Sequence, residues 1–277
     1  MGRRSLIIVV AVVLVLGGLG FGGYRLFSEL DRALMGEGCT ATAGDAEIQL
    51  EVEQAANAAT IAGVAHRERL PRRALVIAYA TAEQESHIEN LSYGDRDSVG
   101  IFQQRPSQGW GTPEQLQDPV YATTKFFAAL VKVENYTERE VHDAAQSVQR
   151  SFDGSLYAQH EQMAEVLSTG FGGESPAAVT CWYLLKEEPE SGPRHEEASA
   201  ELRRTFGKRF TQDAQGITLP AKATRATGWS VATWAMTHAR TYGFTEVRFD
   251  GRRWTPEEGK DGWTKDPSAP ADRILVG

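Results

Sequence analysis

The sequence predicts an α+β protein in three parts: an N-terminal transmembrane helix, a mostly helical domain, and a small C-terminal α+β domain. Three observations carry this. Residues 5–23 contain no charged side chain. Between residues 39 and 181, several runs place apolar residues at helical spacing. Beyond residue 201, one helical run gives way to short alternating stretches broken by Gly and Asp turns.

The chain has 277 residues, enough for two modest domains, and its net charge of −8 comes with no concentrated basic stripe. That balance argues against a nucleic-acid partner and against attraction to an anionic membrane surface. Attachment to a lipid bilayer therefore needs a dedicated segment. The stretch SLIIVVAVVLVLGGLGFGG at 5–23 is long enough for a hydrocarbon core, and Arg3 and Arg4 before it place the N-terminus in the cytoplasm. The expectation is a single-pass anchor in residues 1–24, with everything beyond Tyr24 outside the cell. A cleaved signal peptide is the rival, but bulky Tyr24-Arg25-Leu26-Phe27 follows where small residues would be needed.

Residues 25–38 are a short charged stalk. Cys39 and Cys181, the two cysteines, both fall on the outer side. An even count in an oxidising compartment suggests one disulfide, with two unrelated buried thiols as the other reading. Residues 40–52 alternate around Ala43-Gly44-Asp45, a small hairpin. The Ala-rich run from Glu53 to Ala65 predicts a helix. Pro71 can open the next, which runs over 72–86 and is nearly free of charge through ALVIAYATA, as a core helix should be. A polar, Gly-containing loop spans 87–111, and further helices are expected over 120–133, 138–151 and 157–168. Residues 182–200, with KEEPESGPRHEE at 186–197, have the composition of a linker. The last part, 201–277, holds a helix from Gly228 to Gly243 and short strands after it.

One acid stands out on this frame. Ala74, Ala78, Thr81, Ala82 and Glu85 share a helix face, so the Glu85 carboxyl should be partly desolvated, which raises its pKa. The last turn of a helix also disfavours negative charge. Both effects favour a general acid that is protonated near neutral pH. The bland alternative is a solvated glutamate at a helix end. Glu83 lies on another face. Downstream, Ser98-x-Gly100-x-x-Gln103 supplies a tight turn and amides suited to a polar groove, while Tyr93, Phe102 and Trp110 are candidates for stacking on sugar faces or for ordinary packing. Asp95 and Asp97 serve either as loop caps or as the water-activating base of an inverting hydrolase.

Ala82-Glu83-Gln84-Glu85-Ser86, Asn90 and Gly100-Ile101-Phe102-Gln103 resemble the catalytic segment of soluble lytic transglycosylase-type, lysozyme-like domains. The stretch 90–112, Asp118-Pro119-Val120-Tyr121-Ala122 and residues 144–151 resemble the actinobacterial branch. The resemblance covers residues 39–181, about half the chain. It implies a lysozyme-like fold and peptidoglycan glycan strands as partner, with Glu85 as the single acid/base cleaving the MurNAc–GlcNAc β-1,4 bond. It also implies that Ser86, Gly100, Gln103 and Gln104 shape the substrate groove, with Asn90, Tyr93, Asp97, Ser98 and Phe102 as further substrate-binding candidates from the same stretch. Where the family carries Ala-Tyr-Asn-Ala-Gly, this chain reads AAQSVQRS, so Gln146 and Gln149 stand in. That departure keeps a non-catalytic wall-binding or scaffold protein open as the competing class, and a hydrolytic muramidase as a third.

No cofactor is expected. The six histidines do not cluster at metal-ligand spacing, Asp95-x-Asp97-x-x-Gly100 lacks the glutamate of a calcium loop, and no nucleotide fingerprint is present. The C-terminal part is similar to a small domain appended to actinobacterial exported proteins. Its Trp229, Trp234, Trp254 and Trp263 are either core or a glycan-binding surface.

Overall fold

A computed structural model of the chain describes residues 36–149, 155–183, 192–213 and 216–277. The expected anchor at 5–23, nearly all of the stalk, and 184–191 of the linker lie outside the described residues. Among those that are described, no helix is long and apolar enough to cross a membrane. The architecture is mixed α+β, and residues Gly38–Gly277 cluster as one unit.

The hairpin forms as its turn residues dictate. Strands β1 (Gly38–Ala43) and β2 (Ala46–Leu50) pair antiparallel from Cys39 opposite Leu50 to Ala43 opposite Ala46, and Gly44 turns at φ +60°. The other edge of β1 takes β3 (Val179–Trp182), with Cys39 directly opposite Cys181. These two form the disulfide. A segment 142 residues away is thus locked to the first strand.

Helix α1 (Val52–Glu68) is longer than its Ala-rich stretch suggests, and Ala55, Ala58, Ala59, Ala62 and Ala65 are all buried. Small side chains let neighbouring helices approach from several sides. Helix α2 (Arg72–Ser86) has the expected bounds, although Pro71 sits at its N-cap rather than inside its first turn. Every residue from Ala74 to Ala82 is buried. The two helices run antiparallel, and the Tyr79 hydroxyl donates to the Ala58 carbonyl at 2.9 Å.

After the 87–111 loop come α3 (Pro113–Leu116), α4 (Pro119–Leu130), α5 (Val141–Gln149), α6 (Ser155–Ala158) and α7 (Glu161–Phe171). The single helix expected over 157–168 is two. Asp118 starts α4 one residue early by accepting from the Val120 and Tyr121 amides.

The C-terminal part holds an element that composition conceals. Helix α8 (His195–Phe206) begins inside the expected linker. Its charges face outward, while Ala198, Leu202 and Phe206 are buried. Against it and against α9 (Arg225–Thr237), which the short α10 (Ala239–Tyr242) follows, lies an antiparallel sheet of β4 (Thr211–Asp213), β5 (Gly216–Thr218), β6 (Val247–Phe249), β7 (Arg252–Trp254), β8 (Thr264–Lys265) and β9 (Arg273–Val276). Its order is β4-β5-β9-β6-β7-β8. Trp229, Trp234, Trp254 and Trp263 are all buried, which makes them core and removes the glycan-surface reading. Two of them clip the C-terminal part to β3: Trp254 Nε1 donates to the Cys181 carbonyl and Trp263 Nε1 to that of Val179, each at 2.8 Å.

Candidate active site

Glu85 occupies the last turn of α2, one residue before its end. The chain leaves that helix sharply, since His87 and Ile88 both take left-handed backbone angles, φ +54° and +60°. A β-branched residue is strained there, and the fold holds it by burying Ile88 and by donating Asn57 Nδ2 to the Ile88 carbonyl at 2.8 Å. This bend stops the helix while its final acid is still half-buried.

Two side chains meet that acid. The Tyr157 hydroxyl, buried in α6, donates to Glu85 Oε1 at 2.7 Å. The Gln149 side chain at the end of α5 also hydrogen-bonds Glu85, while its Nε2 donates to the Phe102 carbonyl at 2.7 Å. Burial raises the Glu85 pKa, and the hydrogen bonds from Gln149 and Tyr157 oppose it, leaving the carboxyl above its ordinary range. Glu83 instead faces His87, 3.1 Å from its Nδ1.

The residues expected to shape a groove divide into three sets. The first builds the loop that abuts the acid's helix. The Ser86 hydroxyl donates to the Ile101 carbonyl at 2.7 Å, and Asn90 Nδ2 donates to the Gln117 carbonyl at 2.8 Å. Ser98 is buried, and Gln104, also buried, gives its Nε2 to the Ala122 carbonyl. Gly100 stands at φ +79°, where a Cβ would fall 2.3 Å from the Leu116 carbonyl oxygen, so only glycine fits. Asp97 accepts from the Ser107 amide at 2.7 Å, Arg105 Nε at 2.8 Å and the Ser107 hydroxyl at 3.0 Å. These partners hold its carboxyl far below the usual carboxylate range, and they occupy it as a loop clasp rather than as a base.

The second set departs from expectation. Phe102 cannot stack on a sugar, because it is fully buried and stacks on Phe126 with centroids 4.4 Å apart. Of the two roles open to it, packing holds, and the aromatic ring pins the loop to α4. The third set reaches solvent. Tyr93 is 71% exposed, Trp110 is half-buried, and Gln103 donates Nε2 to the Tyr93 and Gly100 carbonyls at 3.2 Å. On α5, Gln146 lies one turn before Gln149 and is half-buried.

Sequence reasoning missed Tyr157, whose hydroxyl bonds Glu85 directly. No local signal singled it out: the stretch from Tyr157 to Ser168 mixes polar and apolar residues, and only the fold shows that the buried hydroxyl finds Glu85 as its acceptor. Among the described residues no group of three or more His, Cys, Asp or Glu side chains is placed to hold a metal ion. No protein-family model matches the chain and no curated protein sequence matches it, so its chemistry has to be argued from Glu85 and the groups around it.

Proposed function

We propose that the chain cleaves peptidoglycan glycan strands at the MurNAc–GlcNAc β-1,4 bond by lytic transglycosylase chemistry, outside a cell membrane to which residues 5–23 anchor it. The observation that carries this is the Glu85 carboxyl: half-buried, raised in pKa by that burial, and oriented by Tyr157 and Gln149. A general acid needs these properties, because it must keep its proton above the ordinary carboxylate range and aim it. Glu85 gives the proton to the glycosidic oxygen as the bond to the anomeric carbon breaks. The same carboxylate then accepts the proton of the sugar's own 6-hydroxyl as that oxygen closes onto the anomeric carbon, so no water is consumed. Gln149 touching the acid supports the reading that the AAQSVQRS segment replaces the family's usual one in function. The occupied state of Asp97 favours the single-carboxylate route over an inverting one. The Cys39–Cys181 disulfide fits an oxidising exterior.

The test is to incubate the chain with purified peptidoglycan and weigh the fragments. Anhydro ends are expected. Reducing ends would replace this reading with a muramidase, and bound but intact strands with a scaffold. Glu85→Gln should lower the cleavage rate by about 10²–10⁴-fold, the usual worth of a general acid.

A further inference from the structure

A second site lies at the opposite end of the α1–α2 pair from Glu85, about one helix length away, roughly 20 Å at 1.5 Å per residue. There the C-terminus of α1, the end of α8 and the start of α9 enclose a cavity of about 320 Å³. Three cations stand around it from three separate elements: Arg69 at the C-cap of α1, Arg209 in the turn after α8, and Lys222 in the loop before α9. All three are exposed, and none has an ion pair or side-chain hydrogen bond among the described residues. Among the described residues no acidic side chain lines the cavity, although the chain as a whole carries a net charge of −8. Three cations lining one cavity of an acidic protein, without an ion pair among the described residues, make a local field that favours an anion. The N-terminus of α9, with Thr224 and Thr227 in the lining, adds to it, while the C-terminal ends of α1 and α8 oppose it, so the cations carry the attraction.

The floor is different. Leu70, Phe206, Phe210 and Pro220 give it an apolar surface, so a bare inorganic anion would leave half of the site unused. A polyphosphate-type backbone, polar throughout, fits poorly for the same reason. We infer that this cavity binds a short peptide with small apolar side chains ending in a free carboxylate, the carboxylate held by Arg69, Arg209 and Lys222 and the side chains laid on Phe206 and Phe210. The volume suits roughly two or three small residues, at the lower end of ligand cavities. That the peptide branches of wall glycan are its source rests on the function proposed above; the chemistry of the site does not.

The experiment titrates the full chain with N-acetyl-Ala-Ala, with the same dipeptide capped as a C-terminal amide, and with inorganic phosphate, followed by calorimetry. The free acid is expected to bind at least about tenfold more tightly than the amide. The Arg209→Glu/Lys222→Glu double variant should weaken it by at least about tenfold with an unchanged Tm, because neither side chain has a partner among the described residues to lose. Equal binding of acid and amide overturns the proposal, as does absence of binding at millimolar peptide or an undiminished affinity in the variant. Phosphate binding as tightly as the peptide also overturns it, leaving a plain anion site. The acid–amide comparison needs no variant, so it stands even if the double variant misfolds. Glu85 takes no part in this measurement. A chain that binds the peptide but releases no glycan fragments would sink the cleavage reading alone.

Discussion

Glu85 is subject to two opposing influences: burial that favours its proton, and hydrogen bonds that favour its charge. Burial wins, so the folded state holds the proton over a pH range in which the unfolded chain has already lost it. The stabilisation due to that proton is complete at low pH and is lost as pH rises from the ordinary glutamate range through the folded-state value. Glu85→Gln should therefore raise Tm at pH values above the folded-state titration of Glu85, with the gain vanishing in acid; a thermal melt series across pH checks it, and an equal gain at all pH values would contradict the assigned cause. Tyr157→Phe removes a bond that lowers the pKa. The pH at which cleavage declines on the alkaline side should move upward in this variant, and the rate below that point should fall by about tenfold as the carboxyl loses its orientation. A pH–rate profile separates this from a merely structural role, which would lower the rate without moving the limb.

At the scale of elements, α1 is the strut on which both parts of the molecule lean. Gly63 marks the contact: a Cβ there would sit 2.4 Å from Thr205 Cγ2 and 2.8 Å from Phe206 Cε2, both on α8. Gly63→Val should cost about 1–3 kcal/mol through overpacking, measured by urea denaturation. An unchanged midpoint would mean that α8 can retreat freely. Helix α8 was illegible in the sequence for a compositional reason. Its charged residues alternate with an apolar stripe of only a few positions, and the Pro- and Glu-rich stretch before it set the composition of the whole window. The bounds of α2, by contrast, were legible, because a charge-free run opened by a proline and closed by polar residues is a local signal that tertiary contacts reinforce.

At the scale of the whole molecule, the disulfide joins β1 to β3 as neighbours in one sheet, and β3 in turn accepts Trp254 and Trp263 from the C-terminal part. Replacing both Cys39 and Cys181 by Ser should cost about 2–5 kcal/mol and loosen the C-terminal part's hold on the helical part, read by denaturation and by hydrogen exchange at the two indole N–H groups. A loss in stability with those indoles still protected would separate the covalent tie from the hydrogen-bonded one. The sequence by itself determined the hairpin, the core helix, the half-buried position of Glu85 and the two cysteines free to pair, because each is set by residues within a few positions or by a count. Only the tertiary structure decided that Tyr157 meets Glu85 across 72 residues, that Phe102 faces inward, that Asp97 is a clasp and that three cations share one cavity. Those outcomes depend on which helices pack together and in what rotation, and no local pattern encodes a contact between segments so far apart in the chain.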